Sequence, residues 1–382
     1  MAGNDGGDAT QAQVGTGCCD AVCVTLSLVT AGESHGPALV AILTGLPAGL
    51  VLDREAIDRD LRRRQEGYGR SPRQQLERDE VDVLAGLRHG RTLGTPLCLV
   101  VRNRDHANWE WGMSPWPPDG VASGKGTKPV TLPRPGHADL AGAMKFGLAD
   151  VRDALERGSA RQTAVEVAAG AVAKALLGEI EVAVEGRAAT DDLEERVEEA
   201  RRERDTVGGL VEVRVRGVPP GLGSYATRAE RLDARLASAL MGIQAVKGVE
   251  IGGGFALARQ RGSEVHDEIL RDDRGLYRET NRAGGIEAGV SNGEEVVVRA
   301  AMKPLPTLMR PLASVDLESG EPGAALVERS DTAAVEALAV VAEAAVSFEL
   351  ARAAREKFGG DSLGDFVAAW RAYRERIDWT PR

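Results

Sequence analysis

Five short apolar runs set the strongest limit on what this chain can fold into. They lie at residues 39–43, 81–85, 97–101, 211–215 and 296–300 and are mostly valine, isoleucine or leucine, which reads as β-strand. Long alanine-rich stretches between them read as helices. Residues 53–65 also read as a helix, capped by Asp53. Two more, at 160–177 and 228–240, open with capping boxes, Ser159-x-x-Gln162 and Thr227-x-x-Glu230; a last one runs over 332–357 and stops at Gly359-Gly360. Strands and helices do not alternate regularly, so the pattern predicts an α+β fold of helices packed on antiparallel β-sheets instead of a doubly wound sheet. Segments 103–130 and 263–291 read as loops, and the charged stretch 191–205 as a solvated helix without chemistry. The expected organisation is a disordered tail over residues 1–20, one domain over 21–364 and a C-terminal extension over 365–382.

Composition narrows the function. The chain has 382 residues, 43% of them hydrophobic, and a formal net charge of -10. It can bury a sizeable core, and its acidic balance argues against general binding to nucleic acid or acidic membranes, which requires a broad basic surface. Any anionic ligand must meet a local basic pocket. No apolar run reaches the ~18 residues of a membrane helix, and the segment before residues 21–31 is acidic (Asp5, Asp8, Asp20), unlike the start of a signal peptide. Of the four cysteines, Cys18, Cys19 and Cys23 crowd the N-terminus, and Cys98 lies in a strand run. Their spacing fits neither a zinc site nor a disulfide framework, so the expectation is a cytoplasmic protein without a metal site, with Cys98 as a small core residue.

Two of the five histidines sit in tight Gly/Pro turns beside charge: Gly32-Glu33-Ser34-His35-Gly36-Pro37, directly after the apolar run 22–29, and Arg134-Pro135-Gly136-His137-Ala138-Asp139. Either alone reads as a turn histidine bonded to its own loop. Two together favour proton transfer, because imidazole titrates near neutral pH. The segment 62–73 holds Arg62, Arg63, Arg64, Arg70 and Arg73. Successive helical residues turn by about 100°, so the first three cannot all face one ligand. Arg62 and Arg63 read as a solvated helix end, and Arg70 and Arg73, in a Gly/Pro-bounded loop, as anion ligands.

Ser159-Ala160-Arg161 opens a helix, where free N–H groups suit an anion; Ser159 is N-cap, ligand contact or both. Arg161 opposes the helix dipole there and calls for a nearby anion. The run Asn281-Arg282-Ala283-Gly284-Gly285-Ile286-Glu287-Ala288-Gly289 lacks the spacing of a phosphate or dinucleotide loop, though its glycines imply close backbone approach to something. Lys303, before Pro304 and Pro306, stands out where lysine is scarce beside arginine. Asp331 precedes the last helix either as its N-cap or as a base.

Taken in order, these motifs resemble the chorismate synthase family: Gly32 to Gly36, Arg63-Arg64-Gln65 with Gly67-Tyr68-Gly69-Arg70, Arg134 to Asp139, Ser159-Ala160-Arg161, Lys247-Gly248-Val249-Glu250-Ile251-Gly252, Asn281 to Gly285, Lys303-Pro304-Leu305-Pro306-Thr307 and Arg329-Ser330-Asp331. The resemblance runs from about residue 24 to 362. It implies an anti-1,4-elimination that converts 5-enolpyruvylshikimate 3-phosphate to chorismate and inorganic phosphate, on the way to the aromatic amino acids. Reduced flavin mononucleotide (FMN) is required, without net redox change. The resemblance also implies helices sandwiched between antiparallel sheets and a homotetramer. No nicotinamide-binding domain is legible, so the flavin is expected to be reduced from outside, with NADPH as the associated electron source.

By motif match, Arg64, Arg70, Arg73, Arg134 and Arg161 bind the substrate, in a pocket that must offset the roughly four to six negative charges of substrate and flavin together. His35 matches the acid that protonates the departing phosphate, His137 stands near the flavin, and Asp331 relays the C6 proton through flavin N5. Ser159, Ala160, Arg161, Gln244, Gly289, Lys303, Thr307, Arg329 and Ser330 match the flavin site. Gln244 replaces an asparagine found in many members, Ser71-Pro72 a small flexible pair, and Gly158 and Gln162 an alanine and a glutamate. The alternative is a catalytically silent homologue that binds flavin or a phosphorylated metabolite. The joint presence of His35, His137 and Asp331 counts against it, because a binding module needs no three proton-transfer groups.

Overall fold

Two four-stranded antiparallel sheets enclose a layer of helices in the computed structural model, which describes residues 25–70, 78–273, 275–327 and 331–380. The first sheet contains β1 (Ser27–Ala31), β2 (Ala38–Thr44), β3 (Val81–Ala85) and β4 (Leu97–Arg102), in the order β1-β2-β4-β3. The second contains β5 (Ala183–Ala188), β6 (Gly209–Arg216), β7 (Val246–Ile251) and β8 (Val296–Met302), in the order β5-β6-β8-β7. The principal helices are α1 (Arg54–Gln65), α2 (Asp139–Phe146), α3 (Arg152–Gly158), α4 (Thr163–Gly178), α5 (Leu193–Glu203), α6 (Leu232–Met241), α7 (Val335–Phe358) and α8 (Leu363–Ile377).

The middle layer follows from composition. In α4, 12 of 16 residues are buried, and in α7, 17 of 24. Helices this rich in apolar residues lie inside, and alanine combines high helix propensity with small bulk, so the two helices can pack closely on each other. α4 lies against β2 and β4 and α7 against β5 and β6. Alternate residues of the strands face this layer: Leu39, Ala41, Leu43, Leu97 and Leu99 from one sheet and Val211, Val213, Val215, Val296 and Val298 from the other share one core and are at most 1% exposed. Fully burying a side chain of this size contributes about 1.5–3 kcal/mol, so the sandwich is held mainly by these facing rows.

The five expected strands all form, and Asp53 caps α1 by accepting from the Glu55 N–H. Other local expectations are overridden. A 3-10 turn, Ala160–Gln162, precedes α4, and the Gln162 side chain donates to Thr30 and Glu166 instead of closing a capping box. Thr227 and Glu230 precede α6, which begins only after Arg231. The last long helix starts at Val335, so Asp331 is not its N-cap. Beyond it, α8 opens with its own capping box, Ser362 and Asp365, and delivers Phe366 and Trp370 to the main core. The expected boundary at residue 365 therefore falls inside a core element. Segment 263–291, expected to be loop, contains two small hairpins, Ile269–Asp272 with Gly275–Arg278 and Ile286–Glu287 with Val290–Ser291. The charged stretch 191–205 does form a helix, but Val197 and Ala200 bury its inner side. Cys98 is half-buried and outside the core, and Cys18, Cys19, Cys23 and the tail 1–20 lie outside the described residues. Among the described residues, no helix is long and apolar enough to cross a membrane.

Candidate active site

Loops between these elements converge on a cavity of 570 Å³ with an apolar wall that includes Met241, Ile243, Leu338 and Val341. The β1–β2 turn carries His35 into its lining. Gly32 permits that turn: its φ is +117°, and a Cβ there would fall 2.5 Å from the Ala38 carbonyl oxygen. The buried His35 donates its backbone N–H to Glu156 Oε2 at 2.8 Å, and its Nδ1 lies 2.9 Å from Glu156 Oε1. Its ring stacks on Trp109 with centroids 4.0 Å apart.

The second histidine is held locally. His137 Nδ1 bonds to the carboxylate of Asp139, which also accepts from the backbone N–H and Nε of Arg134 at 3.0 and 2.9 Å. Burial works against ionising Asp139, but the hydrogen bonds from His137 and Arg134 outweigh it and hold the carboxyl well below the usual range. Gly158, at the end of α3, lets the His137 turn close in, because a Cβ there would sit 2.9 Å from Ala138 Cβ and 3.3 Å from His137 Cε1.

Four arginines and two lysines complete the lining. The last turn of α1 presents Arg64, whose Nε donates to Thr163 Oγ1 at 2.8 Å and whose Nη2 donates to the Ala160 carbonyl at 3.0 Å. Arg161 donates through Nε to Asn103 Oδ1 and through Nη1 to Asp79 Oδ2 at 2.7 Å; Arg64 Nη1 is 3.5 Å from that same oxygen. Asp79 is therefore the anion that Arg161 called for, and two guanidiniums share it. Arg70 Nη1 donates to Asp331 Oδ2 at 2.6 Å, while Arg70 Nε is buried without a partner among the described residues. Arg134 Nη1 donates to Thr307 Oγ1, and Lys303 Nζ to the Gly136 carbonyl.

Among the described residues, Arg64, Arg70, Arg134, Arg161, Lys247 and Lys303 line the cavity with one carboxylate, Asp331, while Asp79 stands behind Arg64 and Arg161 and Asp139 behind Arg134. Burial pushes Arg64 down to about 10; Asp79 opposes the shift, and the charges of Arg161 and Arg70 add to it. Burial also lowers Arg70 against the pull of Asp331, and lowers Lys303, with Lys247 adding to the effect. Six cations beside three carboxylates among the described residues suit a ligand carrying several negative charges.

Of the sequence-derived candidates, His35, His137, Asp331, Arg64, Arg70, Arg134, Arg161, Ser159, Ala160, Gln244, Lys303 and Thr307 meet at this cavity. Gly289 does not line it: its carbonyl accepts from the Leu232 N–H at the start of α6, and a Cβ there would strike Arg231. The neighbouring glycines approach the chain itself, Gly284 against Gly252. Arg73, Arg329, Ser330 and Ser71-Pro72 lie outside the described residues. Arg63, expected to be solvated, is bound to Asp60 and Glu343, whereas Arg62 pairs with Glu55 at the surface. Sequence reasoning gave no role to Asp79, Asp139, Glu156 or Lys247. Asp139 and Lys247 stood inside recognisable motifs, but Asp79 and Glu156 carried no local signal.

An antiparallel sandwich whose cavity joins two carboxylate-held histidines to six cations defines an enzyme site for a polyanionic ligand. The family model described as chorismate synthase matches residues 26–190 and 182–354. The chorismate synthase of Desulforudis audaxviator is 52% identical over 386 residues, covering 92% of this chain and 98% of its own. That of Rubrobacter xylanophilus is 51% identical over 379 residues, covering 91% and 96%. A crystal structure of a chorismate synthase aligns with a TM-score of 0.74 at 34% identity, covering 93% of this chain and 98% of the other. The chain belongs to the chorismate synthase family.

Proposed function

We propose that this cavity converts 5-enolpyruvylshikimate 3-phosphate to chorismate and inorganic phosphate by anti-1,4-elimination. The observation that carries the reading is the set of six cations that line one cavity, more than the three carboxylates Asp331, Asp79 and Asp139 found beside them among the described residues, and suited to a substrate with a phosphate and two carboxylates. The C6–H bond breaks and its electron pair becomes a ring double bond. The existing double bond shifts, and the C3–O pair leaves with phosphate, so no net redox change occurs. His35 acts as the general acid that gives the departing phosphate a proton. Arg64, Arg70, Arg134 and Arg161 hold the anionic groups through their planar forks, with Arg73 as a further ligand. Asp331 is the cavity's carboxylate for the C6 proton.

The residues present fit reduced FMN. Gln244 Oε1 is a buried acceptor without a partner among the described residues, suited to a ring N–H. The apolar wall suits the flat ring system, and Lys303 suits a phosphate. Ser159, Ala160, Arg161, Gln244, Lys303 and Thr307 would hold the cofactor, with Arg329 and Ser330, and His137 beside it. When bound, reduced FMN would supply transient electron density that no side chain offers. In the same reading the protein is a cytoplasmic homotetramer whose flavin is reduced from outside at the expense of NADPH. Exposed Val29 and Ile42, paired across β1 and β2, supply apolar surface for self-association, and light scattering measures the assembly.

Anaerobic turnover with FMN, run with and without dithionite while following phosphate release and chorismate absorbance, tests the reaction. Product in the reduced sample alone is expected. No product in either sample, with flavin shown to bind, would replace the lyase with a silent homologue. In the same assay His35→Ala should lower turnover by about 10²-fold or more with flavin binding retained; near-normal turnover would remove His35 from the mechanism.

A further inference from the structure

We propose that Glu156 is the positioning residue of His35 and decides which ring nitrogen exchanges a proton with the ligand. The mechanistic part rests on the lyase reading above; the geometry stands without it. Glu156 sits in the last turn of α3 with its side chain 1% exposed and grips His35 across 121 residues of chain, at the backbone N–H (2.8 Å) and at Nδ1 (2.9 and 3.0 Å). An ionised carboxylate only accepts hydrogen bonds, so Nδ1 must donate. The Nδ1 proton therefore stays in place, and Nε2 becomes the nitrogen through which the imidazole gives and regains its proton.

The surroundings of the pair support this assignment. Arg152, one turn earlier on α3, places Nη1 3.7 Å from Glu156 Oε1. Its guanidinium lies 5.0 Å from the centre of the Trp109 ring, and its Nε and Nη1 are buried without hydrogen-bond partners among the described residues. A guanidinium with two unanswered donors is costly. Its charge is compensated by Glu156 and by the indole that stacks on His35. Carboxylate and indole thus confine the imidazole from its edge and its face, and the guanidinium lies beside both of them.

Other charged groups approach the same turn. His106 Nδ1 lies 2.9 Å from the His35 carbonyl oxygen, and Arg157 donates to the carbonyl of Gly32. Lys125 and Asp105 meet each other and Trp109, and Glu33 belongs to the turn itself. Among the described residues, Glu156 is the carboxylate bonded to the ring.

The first test needs no turnover. In full-length protein labelled with 15N-histidine, with the His35 signal identified by its loss in His35→Gln, the neutral ring should carry its proton on Nδ1. An Nε2–H tautomer would overturn the proposal. In Glu156→Gln the amide can turn its NH2 toward Nδ1, so the Nε2–H form should gain population and kcat should fall by about 10²-fold, with KM changed by no more than about twofold. The alkaline limb of the kcat profile should move to lower pH, because losing the carboxylate destabilises the imidazolium. Glu156→Asp, which keeps the charge, should recover part of both effects. An unchanged tautomer and pH profile in Glu156→Gln would also overturn the proposal. Should Glu156→Gln fail to fold by circular dichroism, the wild-type tautomer and Glu156→Asp still decide. Absence of turnover in the wild type itself would count against the lyase reading and leave the tautomer result standing.

Discussion

Two arginines of the cavity, Arg64 and Arg70, and two of the frame, Arg63 and Arg214, are shifted in opposite directions. On the second sheet Glu212 accepts from Arg187, Arg214 and Arg299 at 2.7, 2.8 and 2.8 Å. Burial opposes its ionisation, yet these hydrogen bonds hold its carboxyl at about 2, and the bond to Glu212 raises Arg214 in return. Between α1 and α7, Glu343 accepts from Arg63 and Lys174, and its hydrogen bond raises Arg63 despite partial burial. In the cavity the order reverses, and burial wins over pairing at Arg64 and Arg70. Arg63 and Arg214 are raised by carboxylates of the frame, whereas Arg64 and Arg70 are lowered by burial at a cavity where an anionic ligand would add to the charge that Asp79 and Asp331 supply.

The sharpest way to break this division is to remove one member of each class. Arg70→Ala should weaken substrate binding by about 2–4 kcal/mol while moving the free energy of unfolding by no more than about 1 kcal/mol; Michaelis constants and urea titrations read the two effects. Glu343→Gln should do the converse, losing roughly 2–3 kcal/mol of stability with the Michaelis constant unchanged. If the two variants exchanged these readouts, the distinction between frame and cavity would be gone. A milder probe is inorganic phosphate, which at ten times its dissociation constant should stabilise the protein by about 1.4 kcal/mol in thermal melts, and by less in Arg64→Ala.

The smallest expected effect concerns pH. Because the folded state lowers Glu212 from 4.5 to about 2, its contribution is complete above 4.5 and is lost as pH falls toward about 2. Its arginine partners are 35% to 59% exposed in their side chains, so screening limits the change to about 1 kcal/mol. Glu212→Gln should flatten that part of the acid-unfolding curve, and an identical slope in both proteins would place Glu212 outside the frame's charge balance.

Elements governed by neighbouring residues were legible in the chain. The five strand runs, the Asp53 cap, the stop at Gly359 and the interior helices α4 and α7 follow from side-chain pattern, because apolar spacing and turn chemistry act over a few residues. The boxes at Ser159 and Thr227 failed because a cap is one weak preference among many, and packing at the cavity and at α6 outweighed it. Helix α8 escaped because its anchors, Phe366 and Trp370, acquire meaning only against the core they fill.

The site divides in the same way. His137 and its carboxylate stand two residues apart in one turn, so residue order alone brings them together. His35 and Glu156 stand 121 residues apart, and Arg161 reaches Asp79 across 82. Arg63 and Arg64 are neighbours on α1, yet one is tied to Glu343 and the other lines the cavity. Residue type and spacing settled which groups can carry charge or a proton. Folding settled which carboxylate lies opposite each of them, because ion pairing depends on distance in space and that distance has no fixed period along the chain.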